Sequence, residues 1–256
     1  MGMMTQFVRT LREGAAPFVD LIYPPRCPAC GEAIGEHGGL CAECWSQLVI
    51  PGDPACARCQ RPFGQDGLQE GAVCAPCMKQ TPMHDGIAAG TLYNETSRKL
   101  VLAFKHGRRI ALAPLLARLI AARLPRSEEA RIIVPVPLHR TRLWQRGFNQ
   151  AALLGRELAR AGCGKLQVDA LIRSKATPSL GGKSARARAQ LLKGVITVRN
   201  RGVIENRHVL LVDDVLTSGA TSMACIKALK KAGARSVTIA CFARVLDEAI
   251  PAAKRT

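Results

Sequence analysis

The stretch Val209-Leu-Leu-Val-Asp-Asp-Val-Leu-Thr-Ser-Gly-Ala-Thr221 decides the fold. The apolar run His208–Val212 predicts a buried strand, and Asp213 and Asp214 emerge at its carboxyl end. The small residues Thr217, Ser218, Gly219, Ala220 and Thr221 then lead into a helix predicted over Gly219–Ala232. Backbone N–H groups and hydroxyls at such a helix start can wrap a phosphate. The two carboxylates one step upstream can accept hydrogen bonds from ribose hydroxyls or hold a hydrated Mg²⁺. A phosphate cradle beside sugar-facing acids describes a phosphoribosyl site. The plain alternative is an apolar strand ending in two solvated acids. A Walker B strand would need a GxxxxGK[ST] partner. The nearest string, Thr177-Pro-Ser-Leu-Gly-Gly-Lys-Ser184, has Thr in place of the first Gly and no apolar strand before it.

Strands and helices alternate on either side of this stretch. Strands are predicted at Ile87–Tyr93, Arg131–Val136, Gly194–Val198 and Val237–Phe242, and helices at Glu95–Lys105, Ala111–Arg123 and Phe148–Ala161. The expected class is α/β, a Rossmann-like parallel sheet covered by helices, over residues 87–256. Ligands of such sheets bind at the carboxyl ends of strands.

A second strand end points the same way. Ile132-Ile-Val-Pro-Val-Pro-Leu-His-Arg-Thr-Arg-Leu-Trp-Gln-Arg-Gly-Phe-Asn-Gln150 runs through prolines into Arg140, Arg142 and Arg146. Guanidinium forks suit a pyrophosphate; the alternative is a surface turn with solvated arginines. Asn149 and Gln150 can bond substrate or cap the next helix. Lys105 can face the same cleft or compensate its helix's C-terminal dipole. Residues 170–204 carry eight Lys or Arg and no acid. They read as a mobile hood over the ligand, a nucleic-acid stripe or a basic loop.

The first third is a cysteine module. Cys27/Cys30, Cys41/Cys44, Cys56/Cys59 and Cys74/Cys77 form four CxxC pairs separated by ten, eleven and fourteen residues. Two facing CxxC turns close a tetrahedral site, so eight thiolates suit two structural zinc ions. Sequential pairing is the simplest arrangement, and cross-bracing also fits the spacing. Four thiolates leave no open coordination position for catalysis. The expected layout is a helical segment at 1–26, a double zinc ribbon at 27–86 and the α/β domain at 87–256. Cys163, Cys225 and Cys241 read as small core residues.

Charge is divided unequally. Residues 1–86 hold six Lys or Arg against nine Asp or Glu, and residues 87–256 hold 31 against 10. A field of that sign draws polyanions such as nucleotides or nucleic acid. The 48% hydrophobic content excludes wholesale disorder. No apolar run reaches membrane-spanning length, and the N-terminus lacks a secretory h-region, so a cytoplasmic protein is expected.

The ordered set of four CxxC turns, Phe104-Lys-His-Gly107, the Val134–Gln150 string and Val209–Thr221 resembles the ComF family, the late competence proteins with a zinc module and a type I phosphoribosyltransferase domain. The resemblance implies 5-phosphoribosyl 1-pyrophosphate (PRPP) as ligand, with Mg²⁺, and a role in DNA uptake or processing during natural transformation. It implies Asp213, Asp214 and Thr217–Thr221 as PRPP-binding, with the acids catalytic if the protein is a transferase, and Arg140, Arg142 and Arg146 beside the pyrophosphate; Lys105 is expected among the PRPP-binding residues. The other class it admits is a non-catalytic adaptor that binds nucleotide, single-stranded DNA and a DNA-uptake helicase or recombination protein. The chain departs from the family pattern at Leu180, at Leu191 and near Ile196.

Overall fold

The computed structural model describes residues 24–63, 71–105, 109–125, 129–175, 191 and 194–246. The expected helical segment at 1–26 lies almost wholly outside them, as do residues 176–190 and 192–193 of the acid-free basic segment. The chain divides into two compact units, the first up to Gln47 and the second from Leu48 onward.

The first unit carries one zinc knuckle. A bridge between Arg26 and Ala33 closes the first CxxC turn, with the Cys27 N–H on Glu32 O at 2.7 Å. The second turn starts a short helix, α1 (Ala42–Ser46), capped by the Cys41 sulfur.

The second unit opens with the same device. Ala55 bridges Pro62, the Cys56 N–H bonds Arg61 O at 2.8 Å, and α2 (Ala75–Lys79) starts after Cys74. A five-stranded sheet follows, with β1 (Gly86–Leu92), β2 (Arg131–Pro135), β3 (Lys165–Leu166), β6 (His208–Leu216) and β7 (Ser236–Arg244) in the order β1-β7-β6-β2-β3. Every pairing in it is parallel. Two further strands, β4 (Leu171–Arg173) and β5 (Ile196–Val198), form a separate antiparallel pair.

The sheet is covered on both faces, which is why β6 reads as a nearly unbroken apolar run. Between β1 and β2 run α3 (Glu95–Lys105), a 3₁₀ turn (Ile110–Leu112) and α4 (Ala113–Ala121), whose first turn holds Pro114. Proline there lacks only an N–H that no helix could have used, so the predicted single helix begins later. After β2 come α5 (Arg140–Arg146) and α6 (Gln150–Arg160); α7 (Arg201–Ile204) precedes β6, and α8 (Ala220–Lys231) joins β6 to β7. Helices α4 and α6 lie against one face. A Cβ on Gly90 would stand 3.0 Å from Leu119 Cβ and 3.1 Å from Phe242 O, so β1 needs glycine for α4 to seat.

The opposite face is shared by α8 and the second knuckle. Cys56, Cys59, Cys74 and Cys77 belong to one buried cluster with Ile87, Ala89, Ile239 and Cys241 of β1 and β7 and Ile226 of α8. The sequence groups all eight cysteines into one module ending at Gly86. Packing instead joins the second four to the sheet. Cys225 and Cys241 are fully buried core residues, while Cys163 is half-buried.

Candidate functional site

Strand β6 does not stop at its acids. It continues to Leu216 because β7 still pairs with it, Asp213 opposite Cys241 and Val215 opposite Ala243. Its other neighbour leaves early: β2 pairing ends with Pro135 opposite Val212. The chain after β2 goes to the α6 face, and the chain after β6 goes to the α8 face. A divergence of that kind opens a crevice at the carboxyl ends of adjacent parallel strands. Here the crevice is a cleft of about 690 Å³.

Adjacent strand residues point to opposite faces, and the two acids are so divided. Asp214 meets the Lys105 ammonium at the end of α3, Nζ to Oδ2 at 3.0 Å. Asp213 sits toward Cys225 of α8, whose thiol burial and this carboxylate push upward. Burial first, and the neighbouring Asp214 second, push the Asp213 carboxyl up to about 8. The carboxylates also anchor their own backbone: the Asp214 N–H donates to Asp213 Oδ1 at 2.9 Å and the Val215 N–H to Asp214 Oδ1 at 2.8 Å.

The loop after β6 turns through Gly219 at φ +71°, a left-handed conformation that glycine adopts at little cost, and no side chain caps the helix it starts. Thr217, Ser218 and Thr221 line the main cleft. Thr217 through Ser222 also enclose an adjoining recess of about 80 Å³ with Asp213 and Val215. Gly219 and Ala220 line that recess and not the main cleft.

The basic residues divide. Lys105, Arg142 and Arg146 line the cleft and Arg140 does not. The string expected to be a proline-fixed turn is the helix α5, capped at its start by His139, whose Nδ1 accepts from the Thr141 N–H, and ended by Gly147 at φ +78°. Asn149 is a cap: its Oδ1 accepts from the Ala151 N–H at 3.0 Å and its Nδ2 donates to Val136 O at 3.1 Å. Gln150 is different. It lines the cleft, is 2% exposed, and takes a hydrogen bond from Arg146 Nη1 at 3.2 Å. Among the described residues its buried Nε2 has no hydrogen-bond partner.

Sequence reasoning missed Arg173 as a cleft residue, treating it only as part of a basic segment. It lies at the end of β4, 7% exposed, and lines the cleft. Burial and the adjacent Arg142 lower its proton affinity. No local sequence signal marks it, because the burial arises from the β4–β5 pair lying beside the sheet. Four cations and two acids thus face one cavity, an arrangement suited to a polyanion accompanied by a metal ion.

The eight paired cysteines fall into two sets, Cys27/Cys30/Cys41/Cys44 and Cys56/Cys59/Cys74/Cys77, each with its sulfurs within 4.8 Å of one another. Pairing is sequential, not cross-braced. Sulfur separations of 3.6 Å (Cys30–Cys41 and Cys59–Cys74) match the roughly 3.8 Å edge of a tetrahedron with Zn–S of about 2.3 Å. Burial raises Cys27 and Cys56, but N–H donors outweigh it and draw both thiols down to about 6. Burial and neighbouring sulfurs push Cys44 and Cys77 up. Four thiolates so close need a cation, and these donor sets fit structural Zn²⁺.

Fold and donor sets together define a phosphoribosyltransferase-type α/β protein that carries a double zinc ribbon. Residues 18–78 match the double zinc ribbon domain family, and residues 145–254 match the phosphoribosyl transferase domain family. The chain is 32% identical over 227 residues to "Competence protein F" of Haemophilus influenzae, covering 86% of this chain and 96% of that one. It is 31% identical over 233 residues to "DNA utilization protein YhgH" of Escherichia coli K12, covering 88% of this chain and all of that one. A solved glutamine PRPP amidotransferase from B. subtilis aligns over 52% of this chain and 26% of its own at 21% identity, with a TM-score of 0.33. The chain belongs to the competence protein F family. Among the described residues no helix is long and apolar enough to cross a membrane.

Proposed function

We propose that this chain binds PRPP in the β6–β2 cleft and serves the processing of incoming DNA. The observation that carries the reading is the meeting in one cavity of Asp213 and Asp214, Thr217, Ser218 and Thr221 of the following loop, and Arg142 and Arg146. In this reading the loop takes the 5-phosphate, the acids take the ribose hydroxyls, and Arg142, Arg146 and Arg173 take the pyrophosphate. The donor chemistry also fits a hydrated Mg²⁺ at Asp213, whose half-buried carboxyl has, among the described residues, no cation as close as Lys105 is to Asp214. When bound, the metal supplies charge neutralisation for the pyrophosphate.

Transfer then follows from charge. The bond from ribose C1 to the pyrophosphate oxygen breaks with its electron pair leaving on pyrophosphate, where the arginines stabilise it. The acceptor's lone pair forms the new bond at C1, and the acceptor gives up its proton. Among the described residues lining the cleft there is no histidine or glutamate, so no side chain besides Asp213 and Asp214 is an evident general base. That observation favours a second reading, in which PRPP or a nucleotide is bound without turnover and the protein acts as an adaptor for DNA and a DNA-uptake helicase.

One experiment addresses both. PRPP with Mg²⁺ is titrated calorimetrically into the protein and into the Asp213→Asn, Asp214→Asn double variant, with circular dichroism confirming the fold. Binding to the parent and loss in the variant is the expected result, and undiminished heat in the variant refutes the site. Pyrophosphate release on adding bases, amines or oligonucleotides selects transfer, and binding without release selects the adaptor.

A further inference from the structure

Helix α5 divides its side chains between two opposite strips. Arg142 and Arg146 are four residues apart and line the cleft. Arg140 and Trp144 are also four apart, and at about 100° per residue they lie some 200° round the axis from Arg142 and Arg146. This is why Arg140 is absent from the cleft. Trp144 is 92% exposed, the most exposed large apolar side chain described. The helix buries none of its residues and contains no acid, so the indole is not packing it onto the sheet.

We propose that the Arg140/Trp144 strip of α5 is a docking surface for single-stranded nucleic acid, with Trp144 stacking on an unpaired base and Arg140 meeting the adjoining phosphate. An indole face left in water beside guanidinium groups is the pairing that a single strand uses: bases stack on the aromatic and phosphates meet the cations. Charge complementarity favours this occupant over an apolar protein surface. Arg140, Arg142 and Arg146 are unopposed on the helix, and residues 87–256 carry 31 basic residues against 10 acidic. A duplex hides its bases in the stack and offers Trp144 nothing to cover. The inference deepens the nucleic-acid part of the proposed function and rests on it. It brings a strand to the rim of the cleft whose other wall Arg142 and Arg146 supply.

The chain has two tryptophans, so Trp45→Phe leaves Trp144 as its sole indole. In that variant a 20-nucleotide oligothymidylate should quench Trp144 emission and shield it from acrylamide, while a duplex of the same length does not. Binding of labelled oligothymidylate, read by anisotropy, should weaken roughly ten- to a hundredfold in Trp144→Ala and be largely kept in Trp144→Phe. Arg140→Gln should reduce the slope of log affinity against log salt by about one. PRPP heats should be unchanged in Trp144→Ala. Oligothymidylate binding that leaves Trp144 emission unaltered, equal affinity for the duplex, no binding at all, or full affinity in Trp144→Ala would each overturn the proposal. Loss of PRPP binding alone would overturn the cleft reading instead.

Discussion

Lys105 Nζ lies 3.0 Å from Asp214 Oδ2, which ties the last turn of α3 to the acid facing that side of the sheet. The two side chains are only 23% and 12% exposed, so the pair is shielded more than a surface ion pair. Lys105→Met leaves Asp214 without this partner and removes a cation that helps Asp213 ionise. Urea denaturation at pH 7 should show a loss of about 1–3 kcal/mol. The pH at which PRPP binding sets in should move upward.

The displaced Asp213 carboxyl predicts a pH dependence of the zinc-loaded protein without added Mg²⁺. Its folded value of about 8 stands far above the ordinary carboxyl value of 3.8. Between those two values the folded state keeps a proton that the unfolded state has released, so this group's contribution to stability is full below the lower value. It falls as pH rises, and is lost by the time pH passes the upper value. Asp213→Asn cannot ionise and should flatten that part of the profile. In the variant the Tm at pH 8, with zinc bound and no Mg²⁺ added, should rise by at least about 2–4 °C, the shift that ~1 kcal/mol makes in a chain of this size. An unchanged slope of Tm against pH would mean that Asp213 titrates normally.

Two sets of four cysteines predict close to two zinc ions per chain by elemental analysis. The sets should not be equivalent in their effect on the sheet. Cys74→Ser with Cys77→Ser strips the knuckle that shares a core with β1 and β7. Structural zinc is worth about 10–16 kcal/mol in small metal-folded peptides, as much as a whole domain's net stability of about 5–15 kcal/mol. That double variant should retain one zinc and lose the cooperative melting of the sheet. Cys27→Ser with Cys30→Ser should also retain one zinc but leave the sheet's melting transition in place.

Gln150 predicts a separation of binding from stability. Its buried Nε2 has no hydrogen-bond partner among the described residues, and its side chain lines the cleft. Gln150→Leu should weaken PRPP binding about tenfold, equivalent to ~1.4 kcal/mol, with a stability change under about 1 kcal/mol. An equal loss in folding free energy would make Gln150 a structural residue only.

Much of this molecule can be read from local pattern. The helix Glu95–Lys105 is found at its predicted bounds, because Asn94 and the apolar spacing of Leu100, Val101 and Phe104 act within one turn or two. The strand predicted to end at Val212 runs to Leu216 because β7 supplies partners as far as Arg244, and no window around Asp213 contains that information. Helix α5 was hidden by Pro135 and Pro137, which precede it, although Gly147 marks its end. Asp213, Asp214 and the Thr217–Thr221 loop follow one another along the chain, so their proximity is visible in the sequence. Gln150 is offered by the string that carries Arg142 and Arg146, whereas Arg173 reaches the same cavity by tertiary packing alone.

The pairing of β1 with β7 has a consequence for how the molecule is made. Gly86 lies opposite Thr238 and Leu92 opposite Arg244, so a strand from the first half of the chain waits for the last strand described. During synthesis the second knuckle is complete by Cys77, long before β7 has left the ribosome. Zinc captured there provides a finished surface onto which β1 can settle while its hydrogen-bonding edge is still bare. Starving a translating cell of zinc should therefore expose an unprotected strand edge, and the price would appear as aggregation of nascent chains, not as a mature protein lacking metal.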